Sequence, residues 1–232
     1  MNSESVESEL MKELKPILLQ SPEQLGKFWE TYRKNNGIAS QNKKTEGITA
    51  QMMAKQMQKE VGAGTEIPAG VESNGETVAT GKLSIKETVG KRKEGYLGFL
   101  TVNQEYQGKG IAGDVVETLL HAAKQKECFR VVAEVLVENT SGSRSLGSLF
   151  KNGFLLESIA EGNIEEAGKF VLAKSFEEDI VPESDQKDPL IEKVPVTDVE
   201  KIKELLSQGY KGTKLLRAGE DQFSLELQRY GH

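Results

Sequence analysis

The sequence predicts an α/β (α+β) fold: a mixed, mostly antiparallel central sheet flanked by helices, with a small C-terminal β-α-β-β appendage. Three observations predict it. Apolar residues recur at helical spacing in two early segments, one holding Leu25, Phe28, Trp29 and Tyr32, the other Met52, Met53, Met57 and Val61. Between residues 66 and 103 the period becomes two, and Asn74-Gly75 lies between extended arms, a strong hairpin signal. After residue 103 a glycine-rich turn opens a helix, and an apolar strand follows that helix.

Taken in order, residues 4 to 15 read as a helix, with Val6, Leu10, Met11 and Leu14 on one side. Pro16 disfavours helix at Lys15, and Ile17-Leu18-Leu19 suits a short first strand. Ser21-Pro22-Glu23-Gln24 reads as a helix start: Ser as N-cap, Pro in the first turn, Gln three residues after the cap. Asn35-Asn36-Gly37 ends that helix, and residues 38 to 46 form a polar loop. Thr49 caps the next helix, which Gly62 to Gly64 stop. The aromatic and methionine residues of these helices suit an ordinary core, or in part the wall of a ligand pocket.

The hairpin around Asn74-Gly75 is followed by a strand with Val78, Thr80, Lys82, Ser84 and Lys86 on one side and Ala79, Gly81, Leu83 and Ile85 on the other. Gly90 to Gly95 is a basic turn, and the strand Tyr96 to Val102 follows. The helix after the glycine turn buries Val115, Val116, Leu119, Leu120 and Ala123 and ends near Lys126. Val131 to Val137 reads as a buried strand, parallel to its predecessor across the helix. A helix around Ser143 to Lys151 and a strand near Phe170 to Ala173 complete the first domain, residues 1–176.

Residues 177–189 are acidic, contain two prolines and read as a linker. Residues 190–232 then read as strand, helix capped by Asp198, strand and strand. A segment of this size rarely folds alone, so it is expected to pack on the main domain or on another copy of the chain, which admits a homodimer.

The 232 residues carry a net charge of −6, with acids and bases interspersed, which argues against a nucleic-acid-coating protein. Cys128 is the only cysteine, so internal disulfides and cysteine-rich metal centres are excluded. His121 and His232 are the only histidines, which disfavours a histidine triad or zinc site; no metal is expected. The N-terminus lacks a signal-peptide pattern and no apolar run is long enough to span a membrane, so a cytoplasmic protein without a membrane partner is expected.

The chemistry is expected at Leu100 to Gly113. Glycines let backbone N–H groups turn toward one point, and the first N–H groups of a helix lack internal partners. Together with the helix dipole, they suit an anion, most naturally phosphate. A Walker loop needs Ser or Thr after Gly-Lys, yet Gly110 follows Gly108-Lys109. A dinucleotide fingerprint is literally present in Gly108, Gly110 and Gly113. However, five residues separate Val102 from Gly108, and antiparallel hairpins precede the turn.

Val102-x-x-x-x-Gln107-x-x-Gly110-x-Ala112 resembles the pyrophosphate-binding motif of the GNAT superfamily of N-acetyltransferases. Val135-x-Val137-Glu138-Asn139 and Leu149-Phe150-Lys151-Asn152-Gly153-Phe154 resemble later motifs, so the likeness covers about residues 17 to 175. Two departures stand out. Asn139 to Gly153 is two or three residues longer than usual, with Ser141-Gly142-Ser143 as the insert, and Phe150 stands where many members carry a tyrosine assigned to protonate the departing thiolate.

The resemblance implies a splayed central sheet and acetyl-CoA, or another acyl-CoA, as co-substrate. Gly108, Lys109, Gly110, Ile111 and Ala112 would hold its pyrophosphate, and Gln107 would orient the turn. Leu100, Thr101 and Val102 would pair with the pantetheine arm through the backbone, and Asn139 and Phe150 would lie beside the cofactor. Arg144, Lys124 and Lys151 are further candidates for the outer phosphate. The catalytic candidates are Glu94 and Tyr96, on one face near the start of the strand leading to the turn, with Glu134 and Glu138 as alternatives. His121 and Cys128 read as structural. The expected reaction is acyl transfer to a primary amine, either a small molecule or a protein amine, and the acidic balance favours a cationic acceptor. A catalytically silent CoA-binding module is the alternative, since a phenyl ring at Phe150 cannot donate a proton.

Overall fold

The structure, a computed structural model, describes residues 14–35, 49–136, 140–160, 168–177, 189–217, 219 and 222–229; the side chains of residues 140–144 are outside the description. The chain divides into two compact units, Met1–Glu127 and Cys128–His232. The fold is of the expected α/β class, with mostly antiparallel sheet flanked by helices. No helix among the described residues is long and apolar enough to cross a membrane.

In the first unit, strands β1 (Pro16–Leu18), β2 (Glu66–Ser73), β3 (Glu76–Glu87) and β4 (Lys93–Val102) pair in chain order, each antiparallel to the next. Asn74 and Gly75 join β2 to β3 with φ of 51° and 79°, the left-handed pair that a two-residue hairpin turn requires. Two helices precede the hairpin. Helix α1 (Pro22–Asn35) opens on the expected capping box: Gln24 N–H donates to Ser21 Oγ, and Ser21 N–H donates to Gln24 Oε1, both at 3.2 Å. Helix α2 (Ala50–Gly62) is capped by Thr49, whose Oγ1 accepts from Met52 N–H at 3.2 Å.

These helices cover one sheet face with Leu25, Phe28, Trp29, Ala54 and Met57, which cluster with Leu19 just after β1. The opposite face meets helix α3 (Ile111–Gln125). The contact is close at Gly81, where a β-carbon would lie 2.7 Å from Val115 Cγ1. The helix expected at residues 4–15 lies outside the described residues as far as 13, and Leu14 and Lys15 are not helical. The loop expected at 38–46 also lies outside them.

The second unit pairs its strands in the order β5 (Cys128–Leu136), β7 (Lys169–Ser175), β6 (Leu155–Ala160), β9 (Lys211–Arg217), β10 (Phe223–Arg229), β8 (Leu190–Pro195), all antiparallel. Helix α4 (Thr140–Lys151) packs on β5 and β9, and helix α5 (Val199–Ser207), capped by Asp198, packs on β6. Helix α4 begins earlier than expected and takes Ser141-Gly142-Ser143 into its first turn. Residues 190–229 therefore join this sheet through the pairing of Leu156 with Gly212. A β-carbon at Gly212 would lie 2.7 Å from Leu156 Cβ.

Strand β6 has no counterpart among the elements the sequence predicts. Its register shifts between Leu156 and Ser158, and that irregularity breaks the two-residue alternation by which a strand is read. Strand β9 begins at Lys211 rather than Lys214, because Gly212 is paired on both sides, to Leu156 and to Leu227.

Candidate functional site

The site is built where β4 leaves the sheet. Asn103, 6% exposed, donates its N–H to the Val78 carbonyl at 2.8 Å and accepts from Asn35 Nδ2 at 2.8 Å. The last residue of α1 thus anchors the exit of β4. A 3₁₀ turn, Gln104–Tyr106, follows, and Tyr106 Oη donates to Ser73 Oγ at 3.2 Å. Gln107 Nε2 then donates back to the Val102 carbonyl at 3.0 Å.

Gly108 and Gly110 both have left-handed backbones, with φ of 78° and 87°, which side-chain-bearing residues rarely adopt. A β-carbon at either would have nothing within 4 Å, so the space beside the turn is open. Gly110 is the N-cap of α3 and makes no side-chain cap. Among the described residues, the N–H groups of residues 108–112 make no hydrogen bond. Ile111, 2% exposed, sends its side chain into the core and leaves only its main chain for a ligand. Lys109 Nζ lies 5.5 Å from the centre of the Tyr106 ring. Open N–H donors at the start of a 15-residue helix are the physical requirement for gripping a diphosphate, and this turn meets it.

Strand β4 carries a second irregularity. Lys82 pairs with Gly98 and Thr80 with Thr101, so Phe99 and Leu100 stand opposite Gly81 alone. This is a β-bulge, and Phe99 occupies it with φ of 56°, a backbone that glycine normally supplies. Thr80 Oγ1 donates to the Phe99 carbonyl at 3.1 Å. The Phe99 ring rests against Tyr32 (4.8 Å) and Trp29 (5.2 Å). Burial raises the Tyr32 hydroxyl above the usual phenol range.

Glu94 and Tyr96 come together on the face that bears Lys82, Ser84 and Lys86. Glu94, 3% exposed, accepts a hydrogen bond from Tyr96 Oη, and Lys86 Nζ lies 4.5 Å from the centre of the Tyr96 ring. Glu134, an alternative base, is instead exposed and paired with Lys169 at 3.4 Å. His121 is exposed on α3 beside Gln125, and Cys128 is buried. Phe150 is 9% exposed in the core of the second unit. Asn139 and Glu138 lie outside the described residues, as does the side chain of Arg144. Among the described residues, no group of three or more His, Cys, Asp or Glu could hold a metal ion. Nothing in the sequence marks the bulge at Phe99, since a bulge is a property of pairing rather than of local order.

A model of the acetyltransferase (GNAT) family matches residues 25–146, more than half of the chain. No curated protein matches significantly. Among solved structures, the chain is similar to a GNAT-family acetyltransferase from Streptococcus pneumoniae, at 14% identity and TM-score 0.55, covering 69% of this chain and 99% of that one. It is similar to the ribosomal-protein-S5-alanine acetyltransferase from Vibrio fischeri, at 18% identity and TM-score 0.57, covering 70% and 93%. A third is the microcin C7 self immunity acetyltransferase MccE, solved with acetyl-CoA and AMP, at 15% identity and TM-score 0.54, covering 69% and 92%. At these identities the likeness speaks for the fold.

Proposed function

The chain belongs to the acetyltransferase (GNAT) family, and from that premise we propose that it transfers an acetyl (acyl) group from acetyl-CoA to a primary amine by direct attack in a ternary complex. The observation that carries the proposal is the glycine turn. It offers an array of unspent N–H donors at the start of α3, with open space beside them. Those of Gly108 to Ala112 would hold the pyrophosphate, with Gln107 fixing the turn and Lys109 adding positive charge. Leu100 to Val102 would offer main-chain groups to the pantetheine arm. Asn139 and Phe150 remain proposed neighbours of the cofactor through the family resemblance. When bound, acetyl-CoA supplies the acyl group as an activated thioester.

The chain's own task is then to position and deprotonate the acceptor. An alkylammonium has a pKa near ~10, so about one molecule in 10³ is neutral at pH 7. A positioned base recovers roughly 10²- to 10⁴-fold of that loss. Glu94 is a buried carboxylate whose geometry is fixed by the Tyr96 hydroxyl, and it would take the proton directly or through that hydroxyl.

A silent CoA-binding module is the second reading, favoured by Phe150, whose ring cannot protonate a thiolate. Calorimetry with acetyl-CoA, together with thiol release over an amine panel, tests both. Binding with amine-dependent release is expected, and Gly110→Asp should abolish binding. Binding without release from any amine would favour the silent module. Unchanged affinity in Gly110→Asp would overturn the assignment of the turn.

A further inference from the structure

The face that carries Glu94 and Tyr96 also bears a charge arrangement that the acyl-transfer reading does not use. Glu66 on β2, Lys82 on β3 and Phe99 on β4 come together across three paired strands, Glu66 lying diagonally from Lys82 because its register partner is Ser84. Glu66 Oε2 accepts from Lys82 Nζ at 2.8 Å and from Ser84 Oγ at 2.9 Å. Both charged side chains are largely enclosed, 12% and 14% exposed, so solvent screens them less than a surface pair. Lys82 Nζ lies 4.6 Å from the centre of the Phe99 ring. Lys82 stands on β3, next to β4, and Glu66 on β2, one strand further away, so it is the ammonium of the pair that meets the Phe99 ring.

Beside Phe99 stands a second donor. Trp29 is 6% exposed, and its Nε1–H has no acceptor among the described residues. Leaving a buried indole N–H without an acceptor is costly, and such groups call for an explanation. Next to Phe99, then, there are an ammonium with more N–H groups than Glu66 consumes and an indole N–H. Glu66 itself already serves two donors. Such a wall receives an acceptor-only group such as a carboxylate. It disfavours a second cation, because Lys82 already occupies the Phe99 ring that would attract one.

We propose that the amine acceptor carries a second, anionic group of the carboxylate class, received by Lys82 and Trp29 beside Phe99, and that Lys82 determines this specificity. The proposal rests on the acyltransferase reading above. The chain's net charge of −6 points the other way, toward a cationic acceptor, but an enclosed local donor set outweighs a diffuse surface charge at contact distance. Selection would work by repulsion as much as by attraction: a diamine brings its far ammonium against Lys82.

The test uses three acceptors of one length: 6-aminohexanoate, hexylamine and 1,6-diaminohexane. Their span is close to the two-residue step from Tyr96 to Gly98, about 7 Å along a strand. In the full chain, kcat/KM for 6-aminohexanoate should exceed that for 1,6-diaminohexane at least tenfold. The double substitution Lys82→Met with Glu66→Gln removes the charge pair without stranding a buried carboxylate, and should shrink that ratio at least tenfold. Trp29, the only tryptophan, gives a readout independent of turnover: its fluorescence in the acetyl-CoA complex should report tighter binding of 6-aminohexanoate than of the diamine. Equal preference, preference for the diamine, a ratio unmoved in the double variant, or no Trp29 response to any of the three would each overturn the proposal. Acetyl-CoA affinity is measured on the same samples. Its absence would instead overturn the acyltransferase reading.

Discussion

Thr80 Oγ1 donates a hydrogen bond to the Phe99 carbonyl at 3.1 Å, and through that bond β3 holds the one residue of β4 whose backbone is left-handed. Thr80 is fully buried, so its hydroxyl has no water to fall back on. A bulky residue at positive φ costs of order 1–3 kcal/mol and persists only where its surroundings over-determine it. Here the surroundings are the Thr80 hydroxyl and the ring contacts to Trp29 and Tyr32. Thr80→Val keeps the shape and deletes the donor. It should lower stability by about 0.5–1.5 kcal/mol, the usual net worth of such a bond, because the carbonyl is only partly buried. It should also reduce kcat, because Phe99 lies on the strand proposed to align the pantetheine arm. Urea denaturation and steady-state kinetics check both. Full stability with unchanged kcat would show that the ring contacts alone hold the bulge.

On the opposite face of the sheet, Gly81 and Val115 set how closely α3 approaches β3. A β-carbon at Gly81 would lie 2.7 Å from Val115 Cγ1 and 3.1 Å from Leu119 Cδ1. Gly81→Ala should therefore destabilise the chain by about 1–3 kcal/mol, the usual cost of overpacking. Val115→Ala alone leaves a cavity and also destabilises. Combined, the two should recover part of the loss, with a favourable coupling of about 0.5–3 kcal/mol in a double-mutant cycle. Simple additivity would mean that α3 shifts as a body instead.

Which features could be read from the chain alone follows from the range of the interaction involved. The capping box at Ser21 and Gln24, the Asn74-Gly75 turn and the glycine turn at Gly108 to Gly110 are set by residues within a few positions of each other. All three stand as the sequence predicts. The faces of β3 were equally legible, because alternation needs no partner. Lys82 could be grouped with Ser84 and Lys86, but its place on the Glu94 face and its bond to Glu66 depend on pairing registers, in which Lys86 meets Glu94 and Ser84 meets Glu66. Strand β6 escaped because its bulge hides the period. Nothing local to Gly212 marks its role, which is to let Leu156 approach the backbone. The Phe99 bulge combines both difficulties, an aromatic residue where glycine is expected and a register known only from pairing.

The bond from Gln107 Nε2 to the Val102 carbonyl separates the shape of the turn from its charge. Gln107→Ala removes the tie and should weaken acetyl-CoA binding about tenfold, equivalent to roughly 1.4 kcal/mol. Gln107→Glu also removes the donor, and it places a carboxylate against a carbonyl and beside the anion-binding N–H groups. It should weaken binding further than alanine does, and the excess should shrink as salt screens the charge. Calorimetry at two ionic strengths measures this. Equal losses in the two variants at both salt concentrations would place the anion elsewhere.

Tyr32 gives a pH dependence of defined sign. Burial raises its hydroxyl above the usual phenol range. As pH rises, the unfolded chain therefore ionises this group first, at about pH 10. The contribution of Tyr32 to stability is complete below that value and is lost as pH climbs toward the higher value of the folded state. Lys27 and Lys201 are also raised, by their hydrogen bonds to Glu23 and Glu204, but both are surface groups common to any Tyr32 variant and cancel in a comparison. Between pH 9 and 11, the urea midpoint of the unaltered chain should fall more steeply than that of Tyr32→Phe, while below pH 9 the two should run parallel. Parallel curves throughout would mean that the hydroxyl meets solvent freely. The aromatic wall beside Phe99 would then be open at Tyr32 rather than closed around the acceptor.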